Sequence, residues 1–270
     1  MTGQGDSRPA RAAFFGGIYN NAPALEAAIR DARRRGAEAL YCLGDLGGFG
    51  PHPERVPPLL LENRIAVVQG NYEDSIGNGR DDCQCGYTDP RDNHFARLAY
   101  EYTRARTPAE FKAWYRGLPR SIRLRMGGRR LLLCHGSPRR QNEFLWRSTS
   151  PVAFLERLLR EHEADVILCT HTGLHWERVL PSGRQVINVG ALGRPANDGR
   201  TDVWYALITA REPWEPLHVE FLPVSYDHER FAAEMRTEGL PEEFIETIRT
   251  GWWTTCLEIL PARERGAGRY

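Results

Sequence analysis

Four residues with metal-ligating side chains each follow a short apolar run at a glycine-containing turn: Gly44-Asp45, Gly70-Asn71, His135-Gly136 and Thr170-His171-Thr172-Gly173. A carboxylate, an amide and two imidazoles form a mixed oxygen and nitrogen donor set, which suits manganese, iron or zinc better than calcium or a thiolate-selective ion. Taken singly, each has a plainer explanation: Asp and Asn are ordinary turn residues, and a lone His is more often structural than a ligand. Their common position after a strand is what favours a site, because open α/β sheets assemble sites outside the carboxyl ends of their strands. A fifth such turn, Phe14-Phe15-Gly16-Gly17-Ile18-Tyr19-Asn20-Asn21, has the same placement but offers Gly17 and Tyr19 where an acid and a base would be expected.

The elements that position these residues follow from apolar periodicity. Strands are expected over 10–15, 37–43 and 65–68, alternating with amphipathic helices over 23–35 and 53–62, a pattern that implies a parallel sheet with both faces covered. A doubly wound sheet of that kind brings all five turns to one edge. A glycine- and proline-bearing loop over 75–93 follows, then two helices through 118 and a hairpin of 121–126 with 129–134 about Gly127-Gly128. The second half reads as a helix over 151–162, a buried strand over 165–169, a pair over 176–180 and 184–189, strands over 202–208 and 217–223, and two helices from 228. The expected organisation is a flexible N-terminus over 1–9, one domain over 10–250, and a tail over 251–270 that packs on it through Trp252 and Trp253.

With 270 residues of which 41% are hydrophobic, the chain can bury the core of one large α/β domain. A formal net charge of +1 gives no global field for nucleic acid or an acidic membrane surface, so neither partner is expected. No apolar segment is long enough to span a bilayer and the opening MTGQGDSRPAR is polar, so a cytoplasmic protein is expected. Six cysteines do not form a secreted disulfide pattern, and Cys42, Cys134 and Cys169 fall in apolar runs as free core thiols. A homo-oligomer stays open.

Motif by motif, the chain from about residue 10 to residue 224 resembles the calcineurin-like metallophosphoesterases. Their Asp-x-His, Gly-Asp, Gly-Asn-His, His-Gly and Gly-His-x-His segments align with Gly17-Ile18-Tyr19, Gly44-Asp45, Gly70-Asn71-Tyr72, His135-Gly136 and Thr170-His171-Thr172-Gly173. The flanks YNNAPALEAAI, LYCLGDLGGFGPHP, CHGSPRRQNEFL and INVGALGRP are similar as well. The resemblance implies an α/β fold, a four-layer α/β/β/α sandwich of two mixed sheets, and hydrolysis of a phosphate mono- or diester. It also implies an asymmetry: the second metal's ligands are complete as Asp45, Asn71, His135 and His171, while Gly17, Tyr19 and Gly173 occupy ligand places of the first.

Three readings follow. One is a phosphoesterase acting on a small phosphorylated substrate with a single strong site for Mn, Fe or Zn, Asp45 and Tyr72 being catalytic and Asn71, Arg139, Arg140 and Arg194 meeting the phosphate. Tyr19, Cys83, Cys85, His94 and His175 are candidate auxiliary ligands in it. The second is a non-haem iron redox enzyme, because two His and a carboxylate form that donor set and Cys83-Gln84-Cys85 could cycle. The third is a non-catalytic binding protein that keeps the old cleft.

Overall fold

The computed structural model describes residues 9–268, so the N-terminus expected to be flexible lies, except for Pro9, outside the described residues. Ten strands form two five-stranded sheets. The first contains β1 (Arg11–Phe15), β2 (Ala39–Cys42), β3 (Ala66–Val67), β9 (Val203–Thr209) and β10 (His218–Val224) in the order β10-β9-β1-β2-β3. The second contains β4 (Ser121–Met126), β5 (Arg129–Cys134), β6 (Val166–Cys169), β7 (His175–Val179) and β8 (Gln185–Val189) in the order β4-β5-β6-β8-β7. Both are mixed: β1 pairs parallel with β2 and antiparallel with β9, and β6 lies parallel to β5 and β8 while β4 and β7 run antiparallel to their neighbours.

The period of two along each strand explains why two sheets stack. Ala12 and Phe14 of β1 meet Leu131 and Leu133 of β5 and Leu168 of β6 in the apolar layer between the sheets. Ala13 and Phe15 point the other way, onto Leu25 and Ala28 of helix α1 (Ala22–Arg34). In the second sheet Leu132, Cys134, Ile167 and Cys169 turn outward to Leu155, Leu158 and Leu159 of the helix that precedes β6, Val152–Glu161. Strands apolar on both faces need a cover on each side, and the result is helix, sheet, sheet, helix.

This corrects the single doubly wound edge expected from strand and helix alternation alone. The hairpin of β4 and β5 does not extend the first sheet; it starts a second, to which β6 and β8 add in parallel. The turns carrying Asp45 and Asn71 follow β2 and β3, whereas those carrying His135 and His171 follow β5 and β6, so the site forms where the ends of two sheets meet.

Two local expectations also change. The helix expected over 53–62 opens with a 3-10 turn at Pro53–Arg55 before α2 (Val56–Glu62), whose Pro57 and Pro58 sit in the first turn, where missing N–H groups cost nothing. The loop expected over 75–93 shrinks to 78–89, because α3 (Asn71–Gly77) follows directly on Gly70, and α4 (Pro90–Arg106) starts at Pro90. Asp89 caps α4 by accepting from the N–H groups of Arg91 and Asp92, with Pro90 at the first helical position. Helix α5 (Ala109–Arg116) leads into β4, and α6 is the helix Val152–Glu161.

The C-terminal region covers the site. Helices α7 (His228–Thr237) and α8 (Glu242–Thr250) bring Phe231, Met235, Phe244 and Ile248 onto Phe49, Phe95 and Ala99. Trp253 follows, its indole N–H donating to the Pro195 carbonyl at 2.7 Å and its backbone N–H to Asn197 Oδ1 at 2.8 Å. Trp252 is half-buried beside Gly199, and a short helix α9 (Ala262–Arg265) ends the described chain. Cys42, Cys134, Cys169 and also Cys256 are free and buried, while Cys83 and Cys85 form a disulfide. Among the described residues no helix is long and apolar enough to cross a membrane.

Candidate metal centre

Asp45 and His171 both have left-handed backbones, with φ of +55° and +69°. Such residues are uncommon outside glycine, and they persist only where neighbouring bonds hold them. The Asp45 turn is held from two sides. Its carbonyl accepts from the N–H groups of Ile18 at 2.7 Å and Tyr19 at 3.2 Å, and its own N–H donates to Glu73 Oε2 at 2.9 Å. Glu73 is completely buried and also accepts from the N–H groups of Leu46 at 2.8 Å and Gly70 at 2.7 Å, so one carboxylate ties together the turns that carry Asp45 and Asn71. Burial and the negative charge of Asp45 push the Glu73 carboxyl up to about 7 against these N–H contacts.

Both imidazoles are oriented by backbone carbonyls. His135 Nδ1 lies 2.7 Å from the Leu43 carbonyl and His171 Nε2 lies 3.2 Å from that of Cys85; each nitrogen must donate there, which turns the other toward the centre. The inward nitrogens are His135 Nε2 and His171 Nδ1, 3.0 Å apart, and Asp45 Oδ2 lies 3.2 Å from His135 Nε2. All three donor atoms fall within 4.8 Å of one another and all three residues are buried. Burial, helped by the nearby charge of His135, depresses His171 to about 3, so it is neutral and its Nδ1 lone pair faces His135 Nε2. Burial also works against the charged forms of His135 and Asp45, but their attraction outweighs it: His135 is raised and Asp45 lowered. A cation held by these donors would take the place of the proton between Asp45 and His135.

Asn71 supplies a fourth group. Its side-chain N–H2 donates to the Cys83 carbonyl at 2.9 Å and to Cys85 Sγ at 3.4 Å, leaving Oδ1 buried without a hydrogen-bond partner. An unpaired buried amide oxygen costs about 1–3 kcal/mol, which coordination would recover. Two oriented imidazoles, a carboxylate and an orphaned amide oxygen fit a divalent transition ion, with carbonyls from Leu43 and Cys85 as the outer supports usual around metal-binding histidines.

A small cavity of about 50 Å³ adjoins the centre, lined by Tyr19, Asp45, Tyr72, Cys85, His171 and Arg194 together with aromatic residues and Cys256. The ring of Tyr19 lies over Gly17: a Cβ there would sit 2.6 Å from its Cζ. A Cβ on Gly173 would sit 2.9 Å from Trp253 Cη2 and 3.0 Å from an Arg194 guanidinium nitrogen. The volume that side chains at 17 and 173 would need is thus taken up by a phenol, an indole and a guanidinium. Burial, with a contribution from Asp45, raises the Tyr19 phenol far above its usual range, which disfavours the phenolate that an auxiliary ligand would require. Tyr72 lines the same cavity and is held neutral for the same reason.

The other expected residues are not gathered here. Arg139 is paired with Glu143 and stacked on Phe154, and Arg140 is exposed; neither lines the cavity. His94 is exposed on α4, and His175 on β7 stacks between Trp204 and Phe221 with its Nδ1 buried and unpartnered. The disulfide removes Cys83 and Cys85 as thiolate ligands, yet their backbone supports Asn71 and His171. Sequence reasoning missed Glu73, whose signal was an acid at the third position of a helix opening at Gly70. It also missed Cys256, for which no local pattern exists.

Arg194 is 5% exposed and lies over the rings of Trp253, Phe49 and Tyr19 at 3.6, 5.4 and 5.7 Å. Taking a guanidinium out of water costs several kcal/mol. The rings return about 0.5–2 kcal/mol each and leave its charge without an opposite one.

A family model described as the calcineurin-like phosphoesterase superfamily domain matches residues 15–212. The chain is 22% identical over 253 residues to an uncharacterized protein of Methanocaldococcus jannaschii, covering 88% of this chain and 97% of that one. Among solved structures it is similar to a hypothetical protein of Pyrococcus horikoshii, with a TM-score of 0.74 and 23% identity over 90% of this chain and 99% of the other. A metallophosphoesterase from Sphaerobacter thermophilus gives a TM-score of 0.65 and 25% identity over 90% and 100% of the two chains. The family model spans well over half of the sequence and includes the whole second sheet, β2, β3 and β9 of the first and all four candidate ligands; the chain belongs to the calcineurin-like phosphoesterase superfamily.

Proposed function

We propose that this protein is a metal-dependent hydrolase of small phosphate mono- or diesters that works with one strongly held ion of manganese, iron or zinc. The observation that carries this reading is the orphaned Oδ1 of buried Asn71 beside three converging donors, Asp45 Oδ2, His135 Nε2 and His171 Nδ1. Such an ion supplies Lewis acidity toward a phosphoryl oxygen. Asp45, Asn71, His135 and His171 hold it, and Glu73 fixes the turns from which two of them project. Tyr72, a neutral phenol on the cavity wall, is a hydrogen-bond donor to the ester rather than a ready acid. Cys85, Tyr87 and Ala96 line both the small cavity and a neighbouring, larger depression of about 690 Å³, so the substrate's larger part lies on that side.

Elemental analysis tests this directly. We expect about one transition ion per chain, reduced roughly tenfold or more in His135→Ala and His171→Ala while the circular dichroism is retained, with phosphoesterase turnover lost in parallel. Folded variants that keep both metal and turnover would sink the assignment. A second reading has one observation behind it: the convergent cluster is two His and one carboxylate, the donor set of non-haem iron(II) oxygenases. Iron-dependent dioxygen uptake without ester hydrolysis would select it.

A further inference from the structure

Arg194 is buried at the wall of the cavity that also holds Asp45 and His171, and its Nε lacks a hydrogen-bond partner. Among the described residues no carboxylate pairs with it; its guanidinium bonds the Cys256 side chain and lies over the rings of Tyr19, Phe49 and Trp253. Tight apposition of Trp253, whose own indole and backbone N–H are bonded to the 195–197 segment, fixes the guanidinium plane. A permanent cation is therefore built into the wall of a small cavity, oriented, and left without a carboxylate to balance it.

We infer that Arg194 is the anion-binding residue of this site, and that the cavity takes a single tetrahedral oxyanion, the phosphoryl group of a phosphate ester, between that guanidinium and the Asp45, His135 and His171 centre. Size and chemistry agree. A volume of about 50 Å³ holds only a few waters and falls far below the roughly 300 Å³ of a pocket for a whole drug-sized molecule, so one small anion fits and a nucleotide does not. Arginine presents a rigid fork of donors that matches two oxygens of such an anion. Arg139 and Arg140 lie elsewhere, so selectivity for the phosphoryl group rests on Arg194. The inference rests on the hydrolase reading for its second, metal-bearing side, but its own evidence is a buried guanidinium with an unpartnered Nε and no carboxylate beside it.

The test is calorimetric titration of inorganic phosphate into wild type, Arg194→Met and Arg194→Lys, with metal content measured on each sample. Expected is an affinity loss of about 10- to 100-fold in Arg194→Met, and a smaller loss in Arg194→Lys, which keeps the charge but not the fork, at unchanged metal per chain. Phosphate should raise the unfolding temperature of wild type and not of Arg194→Met. Equal phosphate affinity in wild type and both variants, or no phosphate binding by metal-loaded wild type, would overturn the inference. Absence of metal from wild type would instead count against the hydrolase reading, and the Arg194 comparison is then read on the metal-free proteins. Should Arg194→Met fail to fold, Arg194→Lys alone decides.

Discussion

Gly17 and Gly173 stand where ligands would have to project for a second ion, and the space each would need is full. A side chain at 17 displaces the Tyr19 ring; one at 173 displaces Trp253 and Arg194 and must also adopt a φ of +77°. Gly17→Asp combined with Gly173→His should therefore lower stability, by about 1–3 kcal/mol for overpacking and roughly another 1 kcal/mol for the backbone at 173. Metal content should stay near one ion per chain. Denaturant unfolding and elemental analysis of the double variant check this, and a second stoichiometric ion would show that the surrounding rings yield. Tyr19 fills the space beside Gly17, and Trp253 and Arg194 fill the space beside Gly173.

At the scale of the element, α3 does more than follow a strand. Its third residue, Glu73, reaches back to N–H groups of Asp45, Leu46 and Gly70, so the helix start and two ligand turns form one hydrogen-bonded unit. Glu73→Gln keeps one acceptor oxygen and sets an N–H2 against a backbone N–H. A destabilisation of about 1–3 kcal/mol is expected. Metal affinity should fall by about 10–100-fold, since the turns that aim Asp45 and Asn71 loosen. Urea unfolding and competitive metal titration measure the two effects, and a variant unchanged in both would remove Glu73 from the site's support. The β5 and β6 turns have a different tie, the Thr170 N–H donating to the His135 carbonyl at 2.8 Å.

Over the whole molecule, the chain folds its last third back over the site. Trp253 and Cys256 are buried more than 200 residues from Asp45 in sequence, yet Cys256 lines the same cavity and Trp253 packs on its guanidinium. Trp253→Ala removes a large buried ring and two of the contacts that dock the tail. A loss of about 3–5 kcal/mol is expected, or roughly 6–20 °C in unfolding temperature for a chain of this size. Phosphate affinity should drop with it, because Trp253 is the ring that lies nearest the Arg194 guanidinium. Calorimetric unfolding with and without phosphate checks both, and a variant that unfolds as wild type does would mean that the tail is an accessory.

By itself the sequence determined the elements and the ligand inventory. Apolar runs such as 10–15 and 165–169 read as strands, and Asp45, Asn71, His135 and His171 stood out because each follows such a run at a turn. That Arg194 lines the cavity and Arg139 and Arg140 do not could not be read locally, since all three are arginines in loops and only the folded chain decides which one is buried. The split into two sheets was equally hidden, because alternating strands and helices look the same whether they extend one sheet or begin another. Only the tertiary structure brought Tyr19, Arg194, Trp253 and Cys256 together. Packing between segments far apart in sequence has no periodicity, so burial, unpaired polar atoms and filled volumes became visible only when the chain was closed.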